Sequence, residues 1–555
     1  MPAPAGRFAD LIAESRTLDR DRDFARLAEI YEEAATLVDH AAEPKKWAAL
    51  RSMAGGVEMG HGPLRAIAAY RDALTVWDPN QDHNSWAHCH FSLGTLLAVA
   101  SPPGTPEADQ AIASLELSVA DYPDAASPLA VLYHYRTVGD PHDNWKKWEY
   151  YAQSALNLVS RAEDPAGWAS SMNELALCWT AEPGSPFEIT SKKRLAGHLA
   201  AFEAFPGGFP PPPGTPALRV WVETCVNLND SYAFQVGGNP TDDQKQSEAY
   251  ARMAVDACSK PGAVPPDLHV QALLALARAL GVETSDPVAR IKESLELYDQ
   301  AAALIDPAQF AVMAANIDKF RLSSYLRLIE LGQPDVIDQL VAAAESAYAR
   351  LDLEAYSSGR RAIMQMEAEA LVLTGRYPQA TGCLERAVKE GESALAQAVT
   401  RPGRLEKVFD LRDSWALLAY CHLEAGDIPT ALECLDRGKS RFWREDAVAA
   451  SYASLAGLIP IGGALVFPVF AAAKGAIVAV AQSGAAICWL PNFGKTQLRN
   501  MLSGDPATGE LGGWLKARTF CHSDVAAWVQ KIDSIGADLY NEIWTPLIET
   551  LASLG

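Results

Sequence analysis

Gly494-Lys495-Thr496 follows an apolar run and precedes a helical one, the placement of a phosphate-binding loop. Such a loop needs a glycine five residues before Gly494, where Trp489 stands, and Pro491 removes one of the N–H donors that would cradle a phosphate. Lys495 therefore reads as a helix-start residue. His83, His88, Cys89 and His90 are dense enough for a metal site. On a helix, however, His88 and His90 point about 200° apart, whereas a helical zinc pair takes an i, i+4 spacing. They read as packing residues. Cys521 and His522 are adjacent, and neighbouring side chains diverge too far for a nucleophile–base hydrogen bond, so they read as a loop thiol beside a surface imidazole. The acidic pairs Glu32-Glu33 and Asp242-Asp243 have no apolar surroundings that would raise a pKa and read as solvated faces. These groups nominate no catalytic, cofactor-binding or metal-ligating residue.

The elements that would position chemistry are mostly helices. From 24 to about 199, amphipathic helices follow one another with internal similarity. Trp47-Ala48, Trp86-Ala87 and Trp168-Ala169 each open an apolar helix, and Leu93-Gly94 and Leu175-Ala176 stand seven and eight residues after the last two tryptophans. Second helices carry small and large residues in turn, as in Ala66, Tyr70, Ala73 and Ala111, Leu115, Ser118, and Pro79 and Pro123 close those units. This is the tetratricopeptide (TPR) pattern: small residues let antiparallel helices approach, large ones fill the gap, and proline stops the helix. The spacing of about 40 exceeds the usual 34, which implies longer loops or divergent repeats.

The segment 206–216, PGGFPPPPGTP, reads as an extended or polyproline-like connector between two halves of the array. Helices resume at Ala217. Ser294, Leu297, Tyr298, Ala301 and then Ala380, Leu384, Ala387 repeat the second-helix pattern, and Trp415, Leu418, Ala419, Gly426, Ala431, Leu435 and Gly438 fall at nearly standard TPR offsets. The period then changes. Strands are expected at 464–470, 476–481 and 486–490, with turns at Lys474-Gly475 and Ser483-Gly484. A helix is expected at 495–502, another from near Asp524, and a last one ending near Leu551.

The order of ALECLDRGK (431–439), IPIGGALVFPVF (459–470), WLPNF (489–493) and GGWL (512–515) resembles the CHAT family, caspase-like (clan CD) cysteine-protease domains carried behind TPR repeats. The resemblance covers 431–555 and only the opening part of such a domain. It implies a His general base and a later Cys nucleophile on loops of one parallel sheet, both beyond the matched region, so that a full-length relative would be a cysteine endopeptidase. Gly60-His61-Gly62 has the glycine-flanked histidine of that family but precedes a repeat helix, far from any strand, and reads as an inter-helix turn.

Composition narrows the partners. With 49% hydrophobic and 21% charged residues the 555-residue chain is folded, and a formal net charge of −22 disfavours nucleic acid. Nine cysteines with no C-x-x-C pair read as reduced thiols in a cytoplasmic protein. The N-terminal residues lack the apolar core of a secretory signal, and the apolar runs of 459–490 are too short to span a membrane. The expected fold is mainly α. A TPR-like helical-hairpin superhelix (1–205, connector 206–216, 217–445) is followed by the N-terminal part of an α/β caspase-like domain (446–555). The expected function is a regulatory module that takes a protein or peptide in the TPR groove, with no cofactor, metal, membrane or nucleic acid. The alternatives are a fragment of a cysteine endopeptidase and a pseudo-protease scaffold.

Overall fold

Proline sets many of the element boundaries. At the first helical position it costs no hydrogen bond, because that N–H has no intrahelical partner. The computed structural model describes residues 4–20, 22–101, 105–136, 138–182, 185, 187–234, 239–260, 262–280, 286–351, 357–397, 401–440, 452–503, 514 and 525–554. It divides into two units, Met1–Ala275 and Leu276–Gly555. In the first, α1 (Pro4–Ser15) and α2 (Phe24–Thr36) precede five hairpins: α3 (Pro44–Glu58) with α4 (Pro63–Leu74), α5 (His83–Ala100) with α6 (Pro106–Ser118), α7 (Ala126–His134) with α8 (Pro141–Leu158), α9 (Pro165–Thr180) with α10 (Phe187–Phe202), and α11 (Pro216–Ala233) with α12 (Pro240–Cys258). Helix α13 (Pro266–Leu280) contains the division. A Thr or Asp often stands before the proline and caps the helix: Thr105, Asp140, Asp164 and Thr215 each accept a bond from a first-turn N–H.

The second unit continues with α14 (Pro287–Ala303), then α15 (Ala311–Glu330) with α16 (Ile337–Arg350), α17 (Ser357–Leu373) with α18 (Tyr377–Gln397), and α19 (Arg401–Glu424) with α20 (Ile428–Ser440). Here first helices end on glycine. Gly375 and Gly426 sit at φ of 74° and 78°. They allow Arg376 N to donate to Leu371 O (2.8 Å) and Asp427 N to His422 O (2.9 Å), a turn that reverses the chain into the second helix.

The tryptophans of the Trp-Ala starts at 47, 86 and 168 are half-buried, and the alanines after them, Ala48, Ala87 and Ala169, are wholly buried. Close approach is what the small residues provide. A Cβ on Gly94 of α5 would lie 2.6 Å from Leu115 Cγ of α6. Neighbouring hairpins are also tied by polar bonds at the repeat spacing: Lys45 to Asp82 (2.7 Å, 37 residues apart), Arg71 to Gln110 (2.7 Å, 39 apart) and Tyr348 to Glu390 (2.6 Å, 42 apart). The period near 40 inferred from the tryptophans is therefore also the period of the contacts.

The proline-rich segment departs from the expectation of an extended connector in two ways. Pro206–Gly208 forms a short 3-10 turn, with Gly207 and Gly208 at positive φ. The helices on either side also share one core, in which Ala201 and Phe205 pack with Leu218, Trp221 and Val222, and Gly214 N donates to Ala263 O (3.0 Å). The segment lies inside the first unit, and the division falls later, within α13.

That core holds a polar chain across three helices. Asn173 of α9 donates from Nδ2 to Thr224 Oγ1 of α11 (2.7 Å), and the Thr224 hydroxyl donates to Val220 O (2.7 Å). Asn173 Oδ1 must then accept from Nδ1–H of His198 on α10 (3.0 Å), which fixes the imidazole tautomer. Burial, with the Arg194 cation adding to it, lowers the His198 pKa to about 3.

After α21 (Tyr452–Leu458), β1 (Leu465–Phe470), β2 (Gly475–Ala481) and β3 (Gly484–Leu490) form an antiparallel sheet in the order β1-β2-β3. The three expected strands are present to within two residues. Every residue of β2 is buried. Ala476, Val478 and Val480 join the core of the last hairpins, while Ile477 joins Cys488, Leu490 and Phe493 in a cluster with Leu547. Helices α22 (Lys495–Ser503), α23 (Val525–Leu539) and α24 (Thr545–Leu554) follow, with one wide π turn at Tyr540–Trp544.

Two measurements check this packing. Gly94→Ala is expected to lower the urea midpoint by an amount equivalent to about 1–3 kcal/mol, because overpacking against Leu115 outweighs helix propensity. Gly382→Ala on α18, where the new methyl meets open space, is expected to gain roughly 0.5–1 kcal/mol. A depressed His198 pKa means that the unfolded chain binds the proton first as pH falls. Its stability contribution is whole above about 6.5, the unfolded value, and is lost progressively from there towards pH 3 at up to about 1.4 kcal/mol per pH unit. Urea titrations of wild type and His198→Gln at pH 7 and pH 5 are expected to show a smaller loss in the variant.

Candidate functional site

The first unit carries an open cleft of about 480 Å³ at its N-terminal end. Helix α3 supplies Ala49, Ser52, Met53 and Gly56, positions that share one face at i, i+3, i+4 and i+7. Helix α5 supplies Ser85, His88 and Cys89, and α1, α2 and the loop between them close the far side with Ser15, Leu18, Arg20, Leu27 and Tyr31. Adjacent first helices thus form a common wall, a direct product of hairpin stacking.

The wall is fixed by a small polar chain. Ser52 Oγ donates to Ala48 O (3.0 Å), so it accepts from Trp77 Nε1 (3.3 Å) and from the Cys89 thiol (3.2 Å). Arg20 Nη2 donates to Gly56 O (2.8 Å) and lies at the rim. Burial pushes up both the Cys89 thiol and the Tyr70 phenol behind it. The lining residues include one guanidinium, Arg20, and no carboxylate, and Met53 is 52% exposed. The arrangement offers an apolar seat with hydroxyls and a cation around it. It holds no acid–base pair.

A second cleft, about 450 Å³, lies in the second unit between α13, α14 and α15. The Arg278 guanidinium sits 5.4 Å above the Phe320 ring, which stacks on Tyr298 at 6.1 Å. Arg327 is paired with Glu330 (2.9 Å). Its walls are aromatic and cationic rather than nucleophilic.

The groups singled out in the sequence go to separate places. His83 faces Asp121 (3.0 Å), His90 lies edge-on to Trp86 (4.5 Å), and Cys89 bonds Ser52. His61 stacks on Phe24 with ring centres 3.4 Å apart, in the turn between α3 and α4. Glu33 is held by Arg7 (2.8 Å), whose guanidinium lowers its pKa. Asp243 corrects the reading of its pair as a plain solvated face: partial burial and the Asp242 charge raise its pKa. Cys521 and His522 lie outside the described residues.

Gly494-Lys495-Thr496 does sit between a strand and a helix, but its donors are spent. Gly494 N donates to Gln497 Oε1 (2.9 Å), Lys495 N to Ala471 O (2.8 Å) and Thr496 N to Ala472 O (2.9 Å). The glycine is required by close packing, since a Cβ there would lie 2.5 Å from Lys474 N. Sequence reasoning missed Arg20, Met53 and Trp77. The i, i+3, i+4, i+7 spacing on α3 was the available signal, but it marks a face without saying whether a neighbour covers it.

No family model matches the chain, and no curated protein matches it. Solved structures with some likeness include Naa15/Naa10 bound to HypK-THB, at 16% identity and a TM-score of 0.25, of which the match covers 64%, less than two thirds, against 80% of this chain. A human IFIT1 dimer with m7Gppp-AAAA matches at 13% identity and a TM-score of 0.32, covering 76% of this chain and 95% of that one. The P58(IPK) TPR domain matches at 11% identity and a TM-score of 0.18, covering 74% and 98%. With scores this low, the helical-hairpin repeat rests on the packing of α3 to α20 itself.

Proposed function

We propose that the chain is a polypeptide-recognition module. Its hairpins take an extended segment of a partner protein, and residues 446–555 are the opening part of a caspase-like, CHAT-type domain. The observation that carries the first part is the cleft at α1, α2, α3 and α5, whose wall comes from one face of each successive first helix. A ligand lying across such a wall meets apolar and polar positions in alternation, as an extended peptide requires. The single guanidinium at the rim favours a segment bearing a carboxylate. The second part rests on the motif order from Ala431 onward, and a sheet with helices on both faces is compatible with it.

Eight cysteines, at 89, 178, 225, 258, 383, 421, 434 and 488, are buried, and burial raises the pKa of every one. Buried thiols of raised pKa are poor nucleophiles. A cysteine-endopeptidase reading therefore requires a thiol other than these.

Peptides selected from a displayed library on the folded chain test the cleft. The bound sequence is expected to lose at least about tenfold in affinity on Met53→Glu, about 1.4 kcal/mol, and to keep its affinity on Leu64→Glu, a residue 78% exposed on α4 and outside the cleft. Equal loss in both variants, or no selected peptide, rejects the reading. Iodoacetamide followed by intact mass is expected to add at most one adduct to the native chain under conditions that add nine to the denatured one. Rapid alkylation of two or more thiols would contradict the burial of the eight.

A further inference from the structure

The link between α10 and α11, residues 203–215, is longer than the links 75–82 and 159–164 that join earlier hairpins, although the helices on its two sides share one core and need no spacer. Its middle reads Phe209-Pro210-Pro211-Pro212-Pro213. Phe209 stands at φ of −80° and ψ of 148°, polyproline II values. Each of Pro210, Pro211 and Pro212 has φ fixed by its own ring and ψ held extended by the proline that follows it, so the same helix continues. Both ends are tied down. Phe205 is buried, Thr215 Oγ1 donates to Pro212 O (2.7 Å), and Gly214 N donates to Ala263 O (3.0 Å).

A helix of this kind has three residues per turn and therefore three edges. Pro211 is half-buried and marks the edge turned to the protein. Phe209 with Pro212, and Pro210 with Pro213, form the other two edges, and all four are exposed, Phe209 at 75%. The prolines also border a cleft of about 460 Å³ with Leu218, Trp221 and Met253, so the ridge is open on its flank as well. Prolines have no N–H, and among the described residues no group donates to the carbonyls of Phe209, Pro210 or Pro211. Such a ridge of rings and acceptors is matched by a groove of aromatic rings whose indole N–H or phenol O–H groups donate. The undescribed residues of this unit, 1–3, 21, 102–104, 137, 183–184, 186, 235–238 and 261, include no aromatic side chain, so none of them supplies that groove.

We infer that residues 209–213 are a preformed ligand for a partner protein domain with an aromatic-lined, proline-reading groove, Phe209 filling its widest pocket and the exposed proline edges its slots. The fold already holds the polyproline conformation, so little ordering entropy is lost on binding. In this contact the chain is the ligand, whereas in the helical cleft it is the receptor.

The probes are purified SH3, WW and EVH1 domains, which read proline helices by this chemistry, titrated with the full chain by surface plasmon resonance. Saturable binding to at least one is expected, competed by the free peptide Gly-Phe-Pro-Pro-Pro-Pro-Gly. Phe209→Ala and Pro212→Ala, on one edge, should each weaken it by about tenfold or more, and Phe234→Ala, exposed at the end of α11, by less than about twofold. The urea midpoint of Phe209→Ala should match that of wild type, because the ring lies outside the core. Absence of binding to every domain, binding that the peptide fails to compete, or equal loss in Phe234→Ala overturns the assignment.

Discussion

A helical hairpin of this chain can bury its apolar face only on the hairpins beside it, and the rest of the structure follows from that constraint. Alanine and glycine at the crossing points let backbones approach until large residues such as Tyr70 and Leu115 are wholly enclosed. The cost of a misplaced methyl is local, because each interface is shared by two neighbours and no more. Polar ties at the repeat spacing, such as Arg71 to Gln110, add orientation to an interface whose affinity is apolar.

The same stacking produces the cleft. First helices placed side by side align their faces, so Ser52 and Met53 of α3 come to stand beside His88 and Cys89 of α5 although 35 or more residues separate them in the chain. The net charge of −22 is a property of the whole surface, whereas the cleft lining carries Arg20 and no carboxylate. Over a Debye length of about 8 Å the local charges decide what is attracted, so the global charge does not exclude an anionic group at this rim.

Much of the fold was legible. The Trp-Ala starts, the alternation of small and large residues and the repeat offsets from Trp415 through Gly426 to Gly438 each report a local requirement, and local requirements are written in local sequence. The strands were legible for the same reason, since a buried central strand reads as an unbroken apolar run. The cleft was not, because periodicity tells which face of α3 is apolar or small but not which of its neighbours stops short of covering it. The proline-rich segment misled because its composition forbids a long helix without forbidding the helices around it from packing together. The Gly494 loop had the letters of a phosphate site, and only the tertiary contacts of Ala471, Ala472 and Gln497 show its donors already engaged.

The change of period near residue 460 marks a change of secondary structure without marking a change of core. One apolar cluster runs from Ala315 and Leu322 of α15 through Leu384, Trp415 and Leu435 to Leu455, Val469, Val478 and Val480 of the sheet. An array whose units are stabilised by their neighbours leaves its last hairpin with one face bare, and terminal repeats of such arrays need a cap. Here the sheet covers that face. Its central strand is buried between the hairpins on one side and α24 on the other, so the strands need the array as much as the array needs them. Cooperativity follows the continuity of the buried surface rather than the period of the sequence, which places the last hairpins and the sheet in one folding unit.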